Sequence, residues 1–158
     1  MKTLLLTLSA LALSQAVAAT EVTVNLSEDF AEDLAETYGE REGDVLRAEI
    51  IEDLDYAFAK QGVEPARVEV TINRARPNRP TMEQARAKPG LDMHRSISLG
   101  GMDLTGTAYD AAGNIIATQQ YDWFETDIRQ AFPAGTWSDA KRASHRFAKR
   151  LATEVSAN

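Results

Sequence analysis

Two alternating segments joined by a short turn constrain the fold of this chain most strongly. In residues 102–109 and 115–124, apolar side chains recur at about every second position, and Asp-Ala-Ala-Gly-Asn separates the two segments. Asp, Gly and Asn favour tight turns, so the pattern predicts a β-hairpin. Residues 21–26 and 68–73 alternate in the same way and predict two further strands.

Three other segments have the periodicity of amphipathic helices. The first follows Ser27, a favoured N-cap, and is expected to end at Gly39. The second is expected to begin at Asp44 and to end at Gly62, and the third to begin at its predicted N-cap, Ser138. Their apolar stripes include Phe30, Leu34 and Tyr38 in the first, Leu46, Ile50 and Leu54 in the second, and Phe147, Leu151 and Val155 in the third.

The resulting order is β-α-α-β-loop-β-β-α, in which helices do not alternate with every strand. This order predicts the α+β class, with an antiparallel sheet of about four strands covered by two or three helices. A parallel nucleotide-binding sheet is disfavoured, because Gly100, Gly101 and Gly106 match neither GxGxxG nor a Walker loop. Gly100 and Gly101 instead predict a bulge or a close backbone approach where a strand begins.

Residues 1–19 have the organisation of a signal peptide. Lys2 precedes an apolar run over residues 4–13, and small residues allow cleavage after Ala18 or Ala19. The alternative is a buried N-terminal helix. The run is shorter than the roughly 20 residues that span a membrane. We therefore expect an exported chain that is not membrane-spanning, with residues 20–158 forming one domain.

Cysteine is absent from the chain, which excludes disulfides, thiol nucleophiles and cysteine-ligated metals. Together with the signal peptide, this absence favours the periplasm, with secretion as the alternative. Charge is divided unevenly, with a net −11 over residues 20–64 and a net +3 over residues 65–158. Nucleic acid is an unsuitable partner for so acidic a chain, because phosphate binding requires a concentrated basic surface.

Residues 74–101, here called the arginine-rich segment, connect two predicted strands. Thr81 and Gln84 form a capping box, which predicts a short helix. Arginine binds carboxylates and phosphates well, so this segment is either paired internally with the acidic first helices or exposed to an anionic partner. We prefer internal pairing because the first half of the chain is so acidic. The candidate contact residues are Arg74, Arg76, Arg79 and Arg86.

The first helix carries like-charged residues at i, i+4 spacing, which is unfavourable within the helix. Their simplest interpretation is a solvated face, and the alternatives are a docking face for a basic partner or weak calcium binding. The candidate docking residues are Glu28, Asp29, Glu32 and Asp33.

Catalytic signatures are sparse. His94 and His145 lack metal-ligand spacing, and no serine lies in GxSxG, so neither a metal site nor a cofactor is predicted. Asp122 and Glu125 flank two aromatic residues, which suits a carbohydrate-active hydrolase if the two carboxylates lie about 5–9 Å apart.

Several segments together resemble small bacterial periplasmic domains of unknown function. These are the signal peptide, Val-Thr-Val-Asn-Leu-Ser-Glu-Asp-Phe at residues 22–30, the hairpin at residues 110–114, and the helical ending at residues 135–152. The resemblance implies an envelope-stress or accessory type of α+β protein. We therefore expect a non-catalytic binding or accessory protein whose partner is an envelope protein or an anionic envelope component. The alternatives are the hydrolase using Asp122 and Glu125, and a purely structural envelope component.

Overall fold

The computed structural model describes residues 19–131 and 135–158. The predicted signal peptide lies outside the described residues except for Ala19, and residues 132–134 also lie outside them. Within the described ranges, none of the helices has the length and apolar character needed to cross a membrane.

Four strands form one mixed sheet in the order β1-β2-β3-β4. The α+β class and the predicted order of elements are confirmed, and β3 and β4 form the predicted antiparallel hairpin. The sheet is not wholly antiparallel, because β1 pairs parallel with β2. Two helices return the chain from the end of β1 to the start of β2, and such a crossover is what a parallel pair requires. The strands are β1 Glu21–Leu26, β2 Arg67–Arg76, β3 Gly101–Tyr109 and β4 Ile115–Phe124.

The first helical segment continues as a π-helical turn, Leu34–Tyr38, and ends at Gly39 as predicted. Ser27 caps its start by accepting a hydrogen bond from the Phe30 N–H. The next helix ends at Gly62, which has the left-handed conformation typical of a C-cap, but it begins at Glu40 rather than at Asp44. The helices are α1 Glu28–Asp33, α2 Glu40–Gln61, α3 Met82–Ala87 and α4 Ser138–Ala157.

The core lies between one face of the sheet and the two long helices. On β2 the alternate side chains Val68, Val70 and Ile72 are fully buried, and β3 contributes Leu104 in the same way. Phe147 of α4 packs over Gly106, where a Cβ atom would come within 2.6 Å of its ring. Side chains of the opposite parity are partly exposed, so the other face of the sheet is not covered by a long helix.

The start of α4 differs from its predicted form. Ser138 is the first helical residue rather than the cap, and its hydroxyl bonds back to Gly135. The cap comes from the arginine-rich segment, because the Asn78 Oδ1 accepts the N–H of Asp139 at 2.7 Å. Trp137 donates its indole N–H to Glu42 at 2.6 Å and so ties this turn to α2.

Candidate functional site

Helix α4 runs antiparallel alongside the edge strand β4, from its second turn to its C-terminal end. Arg142 stacks over the ring of Trp123 near the start of the helix, and Asn158 donates its side-chain amide to the Ile116 carbonyl at the end. From Arg142 to Asn158 a helix advances about 24 Å, and from Trp123 back to Ile116 a strand spans about 24 Å. The matched lengths keep the two elements side by side.

Three arginines at four-residue spacing lie over aromatic rings of β4. The guanidinium carbons of Arg142 and Arg146 are 5.3 and 4.7 Å from the centroid of the Trp123 ring. Arg150 lies 4.6 Å from the centroid of Tyr121. We call this set the arginine row.

Stacking on an aromatic face leaves the guanidinium N–H groups available for a carboxylate or a phosphate. Asp139 pairs with Arg142 at 3.1 Å, but among the described residues no ion pair joins Arg146, Lys149 or Arg150 to an acid. These three residues are exposed. They border a groove of about 510 Å³ beside β4, here called the α4–β4 groove. Its lining residues are Gln119, Arg146, Lys149, Arg150, Thr153 and Glu154.

The four predicted contact arginines make different kinds of contact. Arg74 and Arg76 lie over the ring of Phe124, at 4.5 and 4.9 Å from its centroid. Arg79 donates to the backbone carbonyls of Met93 and His94. The pairing is thus partly internal, but its partners differ from the predicted ones. Two ion pairs of these arginines lie among the described residues, Arg74 with Asp122 at 3.8 Å and Arg86 with Glu83 at 3.7 Å, and neither involves an acid of α1 or α2.

A second cavity, of about 320 Å³, lies between the arginine-rich segment and the end of the π-helical turn. Arg76, Arg79 and Tyr38 contribute to its lining. Burial raises the pKa of the Tyr38 hydroxyl, Asp33 raises it further, and Arg76 opposes the shift. Beyond this cavity, the backbone N–H groups of His94 and Arg95 lower the pKa of Asp92, so its carboxylate serves a local turn.

The predicted acidic face of α1 is exposed along its length. Its residues, Glu28, Asp29, Glu32 and Asp33, all have exposed side chains, and the described residues contain no ion pair to any of them. In the described part of the chain, no group of three or more His, Asp or Glu side chains is arranged to hold a metal ion.

The two candidate hydrolase carboxylates are engaged differently. Asp122 lies opposite Asp103 in the β3–β4 pairing, on the face of the sheet that carries Arg74. Glu125 follows the strand and has the opposite parity, and its Oε1 accepts the N–H groups of Thr126 and Asp127 at 2.9 and 3.1 Å. Glu125 therefore stabilises a turn rather than facing Asp122.

A serine and a histidine meet one carboxylate on the far side of α4. The Ser144 hydroxyl and the His145 Nδ1 lie 2.6 and 3.1 Å from the two carboxylate oxygens of Asp53. Ser144 is fully buried and donates to the carboxylate, not to the histidine. The cluster joins α2 to α4 and lacks the serine–histidine contact of a catalytic triad.

The arginine row was not among the candidates that the sequence indicated. Its spacing was visible as Arg142, Arg146 and Arg150, but its aromatic partners lie on a separate strand. No protein-family model, no curated protein and no solved structure matches this chain. The α4–β4 groove presents the guanidinium groups of Arg146 and Arg150, and its lining also contains Lys149 and one acid, Glu154.

Proposed function

We propose that this chain is an exported, non-catalytic binding protein of the bacterial envelope that holds an anionic partner in the α4–β4 groove. The observation that carries the proposal is the arginine row, in which Arg146 and Arg150 are fixed by aromatic rings while their charge is not neutralised by a described acid. A preorganised guanidinium loses less conformational freedom on binding than a mobile one.

The groove is a better candidate than the arginine-rich segment. Arg74 and Arg86 already face acids, and Arg79 is bonded to backbone carbonyls. An anion binding there would have to compete with these contacts. Over its twenty residues α4 carries five Lys and Arg against Asp139 and Glu154, and Asp139 is fully buried. The second half of the chain therefore carries its positive charge both on α4 and on the arginine-rich segment, and Arg146 and Arg150 place part of it beside β4.

Export is the part of the proposal that rests on the predicted signal peptide. The full chain, expressed in a Gram-negative host, should accumulate in the periplasmic fraction as a shortened species beginning at Ala19 or Thr20. Intact-mass spectrometry of the fractionated protein measures this directly. Recovery of the uncut chain in the cytoplasm would contradict it.

Charge reversal tests the groove. We expect the double variant Arg146→Glu with Arg150→Glu to bind fluorescent poly-L-glutamate at least about 10-fold more weakly than the parent chain at low ionic strength. The reason is that both guanidinium groups line the groove and lack described acid partners. Fluorescence anisotropy measures the affinity, and the difference should shrink as salt is added.

Two matched variants change the net charge by the same amount elsewhere. Arg41→Glu with Lys88→Glu alters exposed residues outside the groove and should change the affinity by no more than about 3-fold. Arg74→Glu with Arg76→Glu alters the uncovered face of the sheet. If that pair lost binding while the groove variant retained it, the site would be the sheet face and the proposal would be overturned.

A further inference from the structure

In the described part of the chain, the outer edge of β4 pairs with no other strand. The strand pairs with β3 on one side and ends the sheet on the other. On the outer side, the Ile116 carbonyl accepts a hydrogen bond from the Asn158 side chain at 2.9 Å, and the Gln120 carbonyl accepts one from Gln119 at 2.6 Å. Side-chain amides thus occupy positions where the N–H groups of a neighbouring strand would bind. By strand alternation, the backbone groups of Thr118 and Asp122 point to the same side.

The two edge strands of the sheet differ in how their backbones are protected. At the β1 edge, Arg47 of α2 donates its Nε–H to the Val24 carbonyl at 3.2 Å, so a long charged side chain covers the backbone. The ten residues of β4 contain neither lysine nor proline, which are common protections of an exposed edge. Its irregularity is confined to the start, where the register shifts next to the hairpin turn. A long edge without these protections is a surface for strand addition.

The arginine row has the spacing of alternate side chains on an added strand. Residues four apart on a helix are separated by about 6.0 Å along its axis, and residues two apart on a strand by about 6.8 Å. Across Arg142, Arg146 and Arg150 the accumulated mismatch is below about 2 Å, which flexible arginine and glutamate side chains absorb. Alternate acidic side chains of such a strand would meet Arg146 and Arg150, whereas Arg142 already pairs with Asp139.

We infer that the α4–β4 groove receives an extended, acidic segment of a partner protein, which adds to β4 as a fifth strand. The inference rests on the proposed function and specifies the class of partner and the mode of binding. The backbone edge recognises a polypeptide in extended form, and the arginine row selects Asp or Glu at every second position. A second copy of this chain is a poorer occupant, because pairing of two β4 edges would bring two basic α4 helices to the same sheet junction.

Backbone methylation of a peptide ligand tests strand addition without changing the protein. The probe is a peptide of about ten residues, the length of β4, in which Glu alternates with Val. Two methylated forms are compared, one N-methylated at the Glu residues and the other at the Val residues. In an added strand only one of these sets faces β4, so one form should lose at least about 10-fold in affinity while the other binds like the parent peptide.

Amide hydrogen exchange gives a second readout on the parent protein. The N–H groups of Thr118, Gln120 and Asp122 should become protected when the parent peptide binds, because they face the added strand. Equal binding by both methylated forms, or unchanged exchange at these three amides, would overturn strand addition. If the double variant Arg146→Glu with Arg150→Glu binds polyglutamate with the same affinity as the parent chain, the proposed function fails as well. If that variant loses polyglutamate binding but the parent protein binds both methylated peptides equally, only binding by strand addition is overturned.

Self-association is measured in parallel by sedimentation of the protein without peptide. A monomer that binds the peptide in a one-to-one complex supports the inference. A dimer that the peptide does not dissociate, and whose β4 amides are already protected, would identify a second copy as the occupant and overturn the acidic partner.

Discussion

Replacing Asn78 with alanine should lower the free energy of unfolding by about 3 to 5 kcal/mol, a large fraction of the stability of an ordinary domain. Asn78 is fully buried within the arginine-rich segment. Its Nδ2 group donates to the Asp139 carboxylate at 2.5 Å and to the Ser98 carbonyl at 3.2 Å. Its Oδ1 accepts the Asp139 N–H. Alanine would remove all three bonds at once.

The size of the effect follows from the burial of Asp139. This carboxylate is fully buried, and after the substitution Arg142 would be its only side-chain partner among the described residues. A buried charge that loses a hydrogen-bond donor costs more than an exposed one, because no water replaces the bond. The N-terminus of α4 would also lose the acceptor that caps it.

Urea unfolding followed by circular dichroism measures the change. Asn25→Ala is the matched control, because Asn25 is exposed on β1, and it should change stability by less than about 0.5 kcal/mol. The exchange variant Asn78→Asp with Asp139→Asn retains one carboxylate and one amide and should recover part of the loss. Equal stability of Asn78→Ala and the parent chain would show that the contact does not hold α4 in place.

The second large effect is expected at Gly101, where replacement by alanine should cost about 3 to 4 kcal/mol. The residue opens β3 with a φ of 154°, and a Cβ atom there would lie 2.5 Å from the Phe124 Cα and closer still to the Trp123 carbonyl oxygen. Both are backbone atoms of β4, so a side-chain rotation cannot relieve the overlap. The strands would have to separate at this end.

Thermal and urea unfolding of Gly101→Ala are compared with those of Gly135→Ala. At Gly135 an added Cβ atom would meet the Ser138 hydroxyl oxygen at 3.7 Å, an ordinary contact, and its φ is not in the left-handed range. The control should therefore stay within about 1 kcal/mol of the parent chain. A similar loss in both variants would point to the general cost of replacing glycine and not to the close approach of β3 and β4.

Patterns within a segment predicted most elements of the fold. Alternation identified the strands, and Ser27, Gly39 and Gly62 marked helix ends where the structure has them. The predicted close backbone approach is confirmed at Gly101, since a Cβ atom there would lie 2.5 Å from the Phe124 Cα. These features depend on residues near one another in sequence, which is why they can be recognised there.

Such patterns do not predict features that join segments distant in sequence. Ser138 had the residue type of a helix cap, but the acceptor comes from Asn78, which lies sixty-one positions before Asp139, the residue whose N–H it accepts. The parallel pairing of β1 with β2 depends on where two helices return the chain, and alternation is the same for either direction. The arginine row was visible as a spacing, whereas its orientation is set by Trp123 and Tyr121 on another element.

Helix α4 is fastened near both ends, by Asn78 at Asp139 and by Asn158 at Ile116. These two contacts fix the position of the arginine row along β4. The Asn78 contact at Asp139 lies about 17 Å along the helix axis from Arg150, at 1.5 Å per residue. A partner that requires this alignment would therefore tighten the Asn78 anchor when it binds, and loosening that anchor would weaken the partner's affinity by the same factor. If the groove binds a partner as proposed, this anchor would let the arginine-rich segment influence binding without contacting the partner.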